Sequence, residues 1–225
     1  MPGTMNMTLS VIIPVWADLN QQTQNALLAS AQERRIDKGT IVHNGTTECT
    51  GLILVENGQL RAYALSPDGR EITLYRLLER DVCLFSASCM LRGIQFDITV
   101  EAEQATRFWI VPAEVYQRAM TQSIELSNYT NQLMAERLSD VMWLLEKVLW
   151  QSFDRRLAEF LLEESNLAGS NELSITHEII ARHMGTAREV VTRMLKYFKS
   201  EELVTLTRGT IRILDRERLE ALSEG

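Results

Sequence analysis

Residues 175–198 read ITHEIIARHMGTAREVVTRMLKYF, and a single glycine divides them into two helices. Thr176 stands where a side-chain oxygen caps a helix N-terminus, with Glu178 and Ile179 behind it. Gly185 is the residue type that enters the left-handed conformation, closes the first helix and turns the chain into the second. Beyond it Val191, Met194, Leu195 and Phe198 recur at helical spacing as one apolar stripe. Arg188, Glu189, Thr192, Arg193 and Lys196 share the opposite side. A short helix, a tight turn and a longer helix with one buried and one cationic face predict a helix-turn-helix.

The rest of the composition places that cationic face in context. The 225 residues carry a net charge of −7, with a pI near 5.1, so a nucleic-acid surface has to be local. Residues 176–212 hold seven Lys or Arg against four Glu, a local balance of +3. Hydrophobic residues make up 45% of the chain, enough to fill two cores of unequal size. The opening MPGTMNMTLSVIIPVW lacks a basic leader, and Pro14 interrupts its apolar run short of a membrane span, so a cytoplasmic protein is expected. Cys49, Cys83 and Cys89 show no metal-ligand spacing and are expected to be reduced core thiols.

Residues 38–111 are rich in short β-prone runs divided by Gly, Asn and Asp. Residues 52–55, 59–65 and 71–77 are predicted strands, the last two joined by SPDG with its Asp68-Gly69 hairpin signal. Phe96, Ile98, Val100 and Ala102 alternate with polar residues, as in a half-buried strand. Many short antiparallel strands predict a β-roll of jelly-roll type. A metal-dependent barrel enzyme would need converging imidazoles, and only His43 of the three histidines lies here. No metal site, cofactor or enzymatic activity is expected.

Pro112 opens a short helix, and residues 123–150 follow without Gly or Pro. Met134, Leu138, Val141, Leu145 and Val148 keep a 4-3-4-3 spacing along them, a coiled-coil seam that predicts a homodimer. Ser127 and Asn131 interrupt that seam upstream, setting its register or facing an enclosed ligand. Ser152 opens the amphipathic helix RRLAEFLLEES, and LAGSNE reads as a loop. After the helix-turn-helix, residues 203–206 and 210–214 flank Thr207-Arg208-Gly209 as a hairpin wing with Arg208 at its tip, and DRERLEALSEG as a capping helix. The chain is thus expected to be α+β, with a sensory roll over 1–121, a dimerisation helix over 122–150 and a winged helix-turn-helix over 151–225.

This order of parts resembles the Crp/Fnr superfamily of bacterial transcription regulators. The likeness is carried by KGTIVHNGT, ENGQLRAYALSPDGREITLY, RRLAEFLL, the opening stretch and the LV...RGTIRI wing. It implies a dimer on double-stranded DNA, recognition helices in successive major grooves of a near-palindromic site, RNA polymerase as a partner and no membrane. The family's base-reading R-E-x-x-x-R pattern matches Arg188, Glu189 and Arg193. Arg pairs bidentately with guanine and Glu accepts from cytosine N4. Thr176, His177 and Thr186 would lie near phosphates, while Ala187 and Val190 replace two hydroxyl residues of the cyclic-AMP receptor's recognition helix.

The ligand cassette departs from the family. Its Gly-Glu pair falls on Leu84-Phe85 and its Arg on Phe96, so a cyclic-nucleotide phosphate would meet aromatic rings and cyclic AMP or GMP is not expected to bind. No cysteine lies in residues 1–48 to resemble the iron-sulfur members, and His43 alone does not furnish a heme pocket. The replacement, CLFSASCML, offers Phe85, Ser86, Ser88 and Cys89 beside Phe96, Ser127 and Asn131 for a small, weakly polar effector. It equally reads as plain core packing, or as a redox pair of Cys83 and Cys89. A competing reading of the whole chain is a cyclic-nucleotide-binding-like module acting through protein contacts alone.

Overall fold

The computed structural model describes residues 9–45, 49–90 and 97–224, of which 88–90 by backbone alone. The chain forms two compact units, one from Met1–Leu65 and Leu74–Val141, the other from Ser66–Thr73 and Met142–Gly225.

In the first unit α1 (Gln21–Ser30) precedes eight short strands among the described residues: β1 (Gln32–Ile36), β2 (Ile41–Asn44), β3 (Leu52–Asn57), β4 (Leu60–Leu65), β5 (Glu71–Leu77, whose residues up to Thr73 fall in the second unit), β6 (Val82–Cys83), β7 (Thr99–Ala102) and β8 (Thr106–Val111). They make two four-stranded sheets in the orders β1-β8-β3-β6 and β2-β7-β4-β5. Leu52, Ile53, Leu54 and Val55 are all fully buried, because β3 packs on both of its faces. Ile53 and Val55 enter the roll's interior with Leu60, Leu77, Val100 and Phe108. Leu52 and Leu54 turn outward onto a second core that the N-terminal residues and helices cover with Trp16, Leu27, Tyr116 and Leu126.

The turn signal at Asp68-Gly69 is realised: Ser66 N–H donates to Arg70 O at 2.8 Å, and Gly69 has φ +81°. β7 buries Val100 and Ala102 as the alternation predicts, but Thr99, expected on the open side, is buried as well, so the strand is covered more fully than a half-buried one; Phe96 lies outside the described residues. β1, QERRI, is an edge strand on β8 and is almost wholly exposed. Its Glu33, Arg34 and Arg35 suit an edge that must not recruit further strands.

α2 (Ala113–Gln122) leads into α3 (Ile124–Trp150), whose first turn is capped by Ser123 Oγ, accepting from Leu126 N–H at 3.2 Å. In the second unit follow α4 (Phe153–Ala168), β9 (Glu172–Leu173), α5 (His177–Met184), α6 (Arg188–Ser200), β10 (Val204–Thr207), β11 (Thr210–Ile213) and α7 (Arg216–Glu224). The stretch LAGSNE is not all loop. α4 runs on to Ala168 and ends at left-handed Gly169, and Leu173 pairs with Ile211, making β9 the third strand of the wing sheet. That pairing depends on a partner 38 residues away in sequence, and no local signal announces it.

Candidate nucleic-acid interface and effector region

α5 and α6 are held as their sequence requires. Thr176 Oγ1 accepts from Ile179 N–H at 3.2 Å, which satisfies one of the otherwise orphaned donors at the start of α5. Gly185 has φ +65°, and Thr186 N–H reaches back to Ala181 O at 3.1 Å, the bond pattern of a Schellman turn. Val191, Leu195 and Phe198 are fully buried against Leu161, Ile180 and Ile211, and Met194 packs partly beside them. Burying each of these side chains stabilises the unit by roughly 1.5–3 kcal/mol.

The outward side of α6 is correspondingly open. Arg188, Glu189, Arg193 and Lys196 are exposed, and among the described residues no ion pair holds any of them. Thr192 is half-buried, and its hydroxyl donates to Arg188 O at 2.9 Å. Its oxygen therefore accepts from His177 Nδ1–H, also at 2.9 Å, leaving His177 Nε2 as the acceptor of a neutral ring. Burial first, and then the Arg188 charge, hold the His177 pKa below its ordinary 6.5. Thr186 is half-buried at the turn, and Arg208 is exposed beside Gly209 (φ +77°) at the tip of the wing.

The turn Ser66–Thr73 belongs to this second unit and braces α5 from behind. Arg182 Nη2 lies 2.9 Å from Glu71 Oε1, Thr73 Oγ1 lies 2.9 Å from His183 Nδ1, and Ile72 makes a β-bridge to Met184. A Cβ on Gly185 would stand 3.2 Å from Ile72 Cβ, so a side chain there would press Ile72 aside by a few tenths of an ångström in addition to straining the left-handed backbone.

On α3 the apolar residues divide between two sides. Met134 packs against both cores of the first unit, and Val141 is half-buried. Among its exposed residues, which include Trp143 and Trp150, Leu138 (63%), Met142 (54%), Leu145 (46%) and Leu149 (60%) form a 4-3-4 stripe that keeps two residues of the predicted seam and replaces Met134 and Val141 by Met142 and Leu149. Val148 sits at its margin, 39% exposed. Asn131 is exposed and Ser127 half-buried.

The candidate effector residues are packed more tightly than their composition implied. Phe85, 6% exposed, lies in the roll's interior 6.0 Å from the Tyr75 ring, and Leu84 is 1% exposed in the outer core. Ser86 is fully buried, and its hydroxyl is already engaged with Gly51 O (2.7 Å) and Cys83 O (2.8 Å), so it fastens loop to loop instead of presenting itself to a ligand. The side chains of Ser88 and Cys89, and all of Phe96, lie outside the described residues.

The thiols depart from expectation. Cys83 is a free, fully buried thiol whose pKa burial pushes up, the opposite of an activated sulfur. Cys49 is exposed and disulfide-bonded, so the three cysteines are not all reduced core thiols. One further connection gave no signal in the sequence. The Arg137 guanidinium of α3 stacks 4.8 Å from the Tyr75 ring centroid and pairs with Asp140 at 2.8 Å, while Tyr75 Oη lies 4.0 Å from Cys83 Sγ. Among the described residues no three His, Cys, Asp or Glu side chains gather as a metal site, and no helix is long and apolar enough to cross a membrane.

Comparison with known proteins finds matches in two parts of the chain. Residues 155–222 match the Crp-like helix-turn-helix domain, and residues 33–123 match the cyclic nucleotide-binding domain. The crystal structure of a Crp/Fnr-family transcriptional regulator from Eubacterium rectale is 55% identical, superposes with a TM-score of 0.93, and the match covers 95% of this chain and 99% of that one. The transcriptional regulator Flp of Lacticaseibacillus casei is 26% identical over 96% of this chain and 98% of its own length. A Crp/Fnr-family regulator from Thermus thermophilus, 21% identical, shares the fold with a TM-score of 0.71 over 86% of this chain and 99% of that one. With both domains matched and one relative alike along nearly its whole length, the chain belongs to the Crp/Fnr family of transcriptional regulators.

Proposed function

We propose that two copies of this DNA-binding regulator associate along α3 and read a near-palindromic promoter site, each placing α6 in a major groove. The observation that carries the reading is the pair of faces on α6: Val191, Leu195 and Phe198 are fully buried, and Arg188, Glu189 and Arg193 lie exposed on the opposite side, without ion pairs among the described residues. Arg188 and Arg193 are assigned to guanine edges and Glu189 to cytosine N4. Thr176, Thr186, Lys196 and Arg208 are assigned to the phosphate backbone, which fixes register without reading sequence, while His177 and Thr192, whose donors are engaged with Thr192 Oγ1 and Arg188 O, are assigned to holding the start of α6 in place. In this division of labour residues 1–121 sense, 122–150 join the copies and 151–225 read DNA. RNA polymerase is the partner that the family role implies.

Control is assigned to the roll, through a signal other than a cyclic nucleotide. Leu84 and Phe85, at the places of the family's Gly-Glu pair, are buried among apolar side chains, where an unpaired phosphate charge is very costly. A signal that favours one arrangement of roll and α3 over another would shift the population of aligned recognition helices.

The reading is tested by selecting duplexes from a random pool and measuring anisotropy on the winners. Arg193→Ala should lose about 1–3 kcal/mol of discrimination at one base pair per half-site. Arg208→Ala should weaken all sequences alike and reduce the salt dependence. An unchanged base preference in Arg193→Ala would remove α6 from the groove.

A further inference from the structure

The disulfide at Cys49 has no place in DNA reading, and its position is unusual for a protein of this kind. A DNA-binding regulator works where its DNA is, in a compartment whose thiol reductants make lasting disulfides rare and those that do form transient and regulatory. Cys49 is exposed to such reductants, in the segment between β2 and β3. Cys83, the thiol inside the roll, is free, fully buried and raised in pKa, and so is poorly suited to exchange.

We infer that the Cys49 disulfide is the roll's regulatory element, a reversible redox switch that changes the protein's affinity for DNA. This deepens the proposed function and rests on its DNA-binding reading. The exchange balances with a dithiol donor. One donor thiolate attacks a sulfur of the disulfide, the donor's second thiolate resolves the mixed disulfide, and the protein gains two electrons and two protons while the donor leaves as its own disulfide. An oxidising disulfide of the glutathione class runs the reaction in reverse.

A path from Cys49 to α3 lies entirely within the first unit. Two residues beyond Cys49, Gly51 N–H donates to Ser86 O at 3.2 Å, and Ser86 Oγ returns a bond to Gly51 O at 2.7 Å. Ser86 belongs to the 3-10 segment Phe85–Met90, which stands between the two cores. Ala87 packs in the outer core with Leu126 and Leu133 of α3, Phe85 packs in the inner one, and Met134 of α3 touches both. Met134 lies one helical turn before Leu138, where the exposed apolar stripe begins. Opening the disulfide releases the loop that the Gly51–Ser86 pair ties to this segment, and the change reaches the helix through packed side chains instead of through a bound ligand.

The test uses the full chain, oxidised with glutathione disulfide or reduced with dithiothreitol. Alkylation in denaturant should find one free thiol in the oxidised chain and all three in the reduced chain. DNA affinity by fluorescence anisotropy should differ between the two forms by at least about fivefold, the lower end of ordinary coupling between sites. Cys49→Ser should abolish the difference, bind like the reduced protein and melt with it, whereas Cys83→Ser should keep the difference. Equal affinities of the oxidised and reduced protein, or a response that survives in Cys49→Ser, would overturn the inference and leave DNA binding intact. A covalent dimer on a non-reducing gel would overturn it as well, and absence of DNA binding in both forms would remove it together with the reading on which it rests.

Discussion

Replacing Leu138 and Leu145 together by Glu should turn the protein into a monomer without unfolding it. In the single chain these side chains are 63% and 46% exposed, so a partner helix has that much apolar surface left to cover. Full burial of a Leu stabilises by roughly 1.5–3 kcal/mol, and the remaining fractions correspond to about 1–2 kcal/mol for Leu138 and somewhat less for Leu145. A symmetric dimer carries each change twice, so the pair forfeits roughly 3–7 kcal/mol before any repulsion between the new carboxylates is counted. At about 1.4 kcal/mol per decade, the dissociation constant should rise by at least about two orders of magnitude. Sedimentation equilibrium measures it directly, and circular dichroism at the same concentration confirms that each chain stays helical. Met134→Ala serves as the opposite control: its side chain packs inside the first unit, so it should lower the melting temperature and leave association nearly unchanged. If the double Glu variant sediments as a dimer like the parent, or if Met134→Ala dissociates while keeping its stability, the exposed stripe is not the seam.

Acid should destabilise the protein through two histidines. His43 and His177 are both held below the ordinary 6.5 in the fold, His43 by burial and His177 by burial and then Arg188. The unfolded chain then takes up protons first, so their contribution is complete above pH 6.5 and is lost as the pH falls from there through the lowered folded values. Chemical denaturation across that window should show stability falling with acid, and His43→Gln should flatten the slope. Gly185→Ala should cost about 1 kcal/mol or more, since an L side chain there is strained at φ +65° and its Cβ meets Ile72; a thermal melt equal to the parent's would contradict the packing at that turn.

The helix-turn-helix was legible because its determinants are local. An N-cap bond spans three residues, a left-handed glycine acts at its own position, and the 3.6-residue period separates Val191, Leu195 and Phe198 from Arg188, Glu189 and Arg193 within four turns. The β4–β5 turn and the continuous apolar run of β3 were legible for the same reason. β1 was not: QERRI has no alternation to read, and only its pairing with β8, more than seventy residues later, makes it a strand. β9 has the same explanation.

The candidate effector residues divide along the same line. A hydroxyl such as that of Ser86 offers itself to a ligand or to the backbone according to what the fold brings near, and here Gly51 and Cys83 carbonyls take it. Which side of α3 faces outward was likewise undecided by heptad spacing, because Met134, Leu138, Met142 and Leu145 all satisfy an apolar period; the chain's own two cores claim Met134 and leave the others. The stacking of Arg137 on Tyr75 and the disulfide at Cys49 depend wholly on distant segments meeting. By itself, then, the sequence determined the two-faced helix α6, the caps of the helix-turn-helix and the order of parts, since hydrogen bonds and backbone preferences within a few residues decide those. The tertiary structure alone decided which apolar side of α3 stays exposed and which cysteine is buried as a free thiol, because burial is settled by everything that packs against a residue, however far away it lies in the chain.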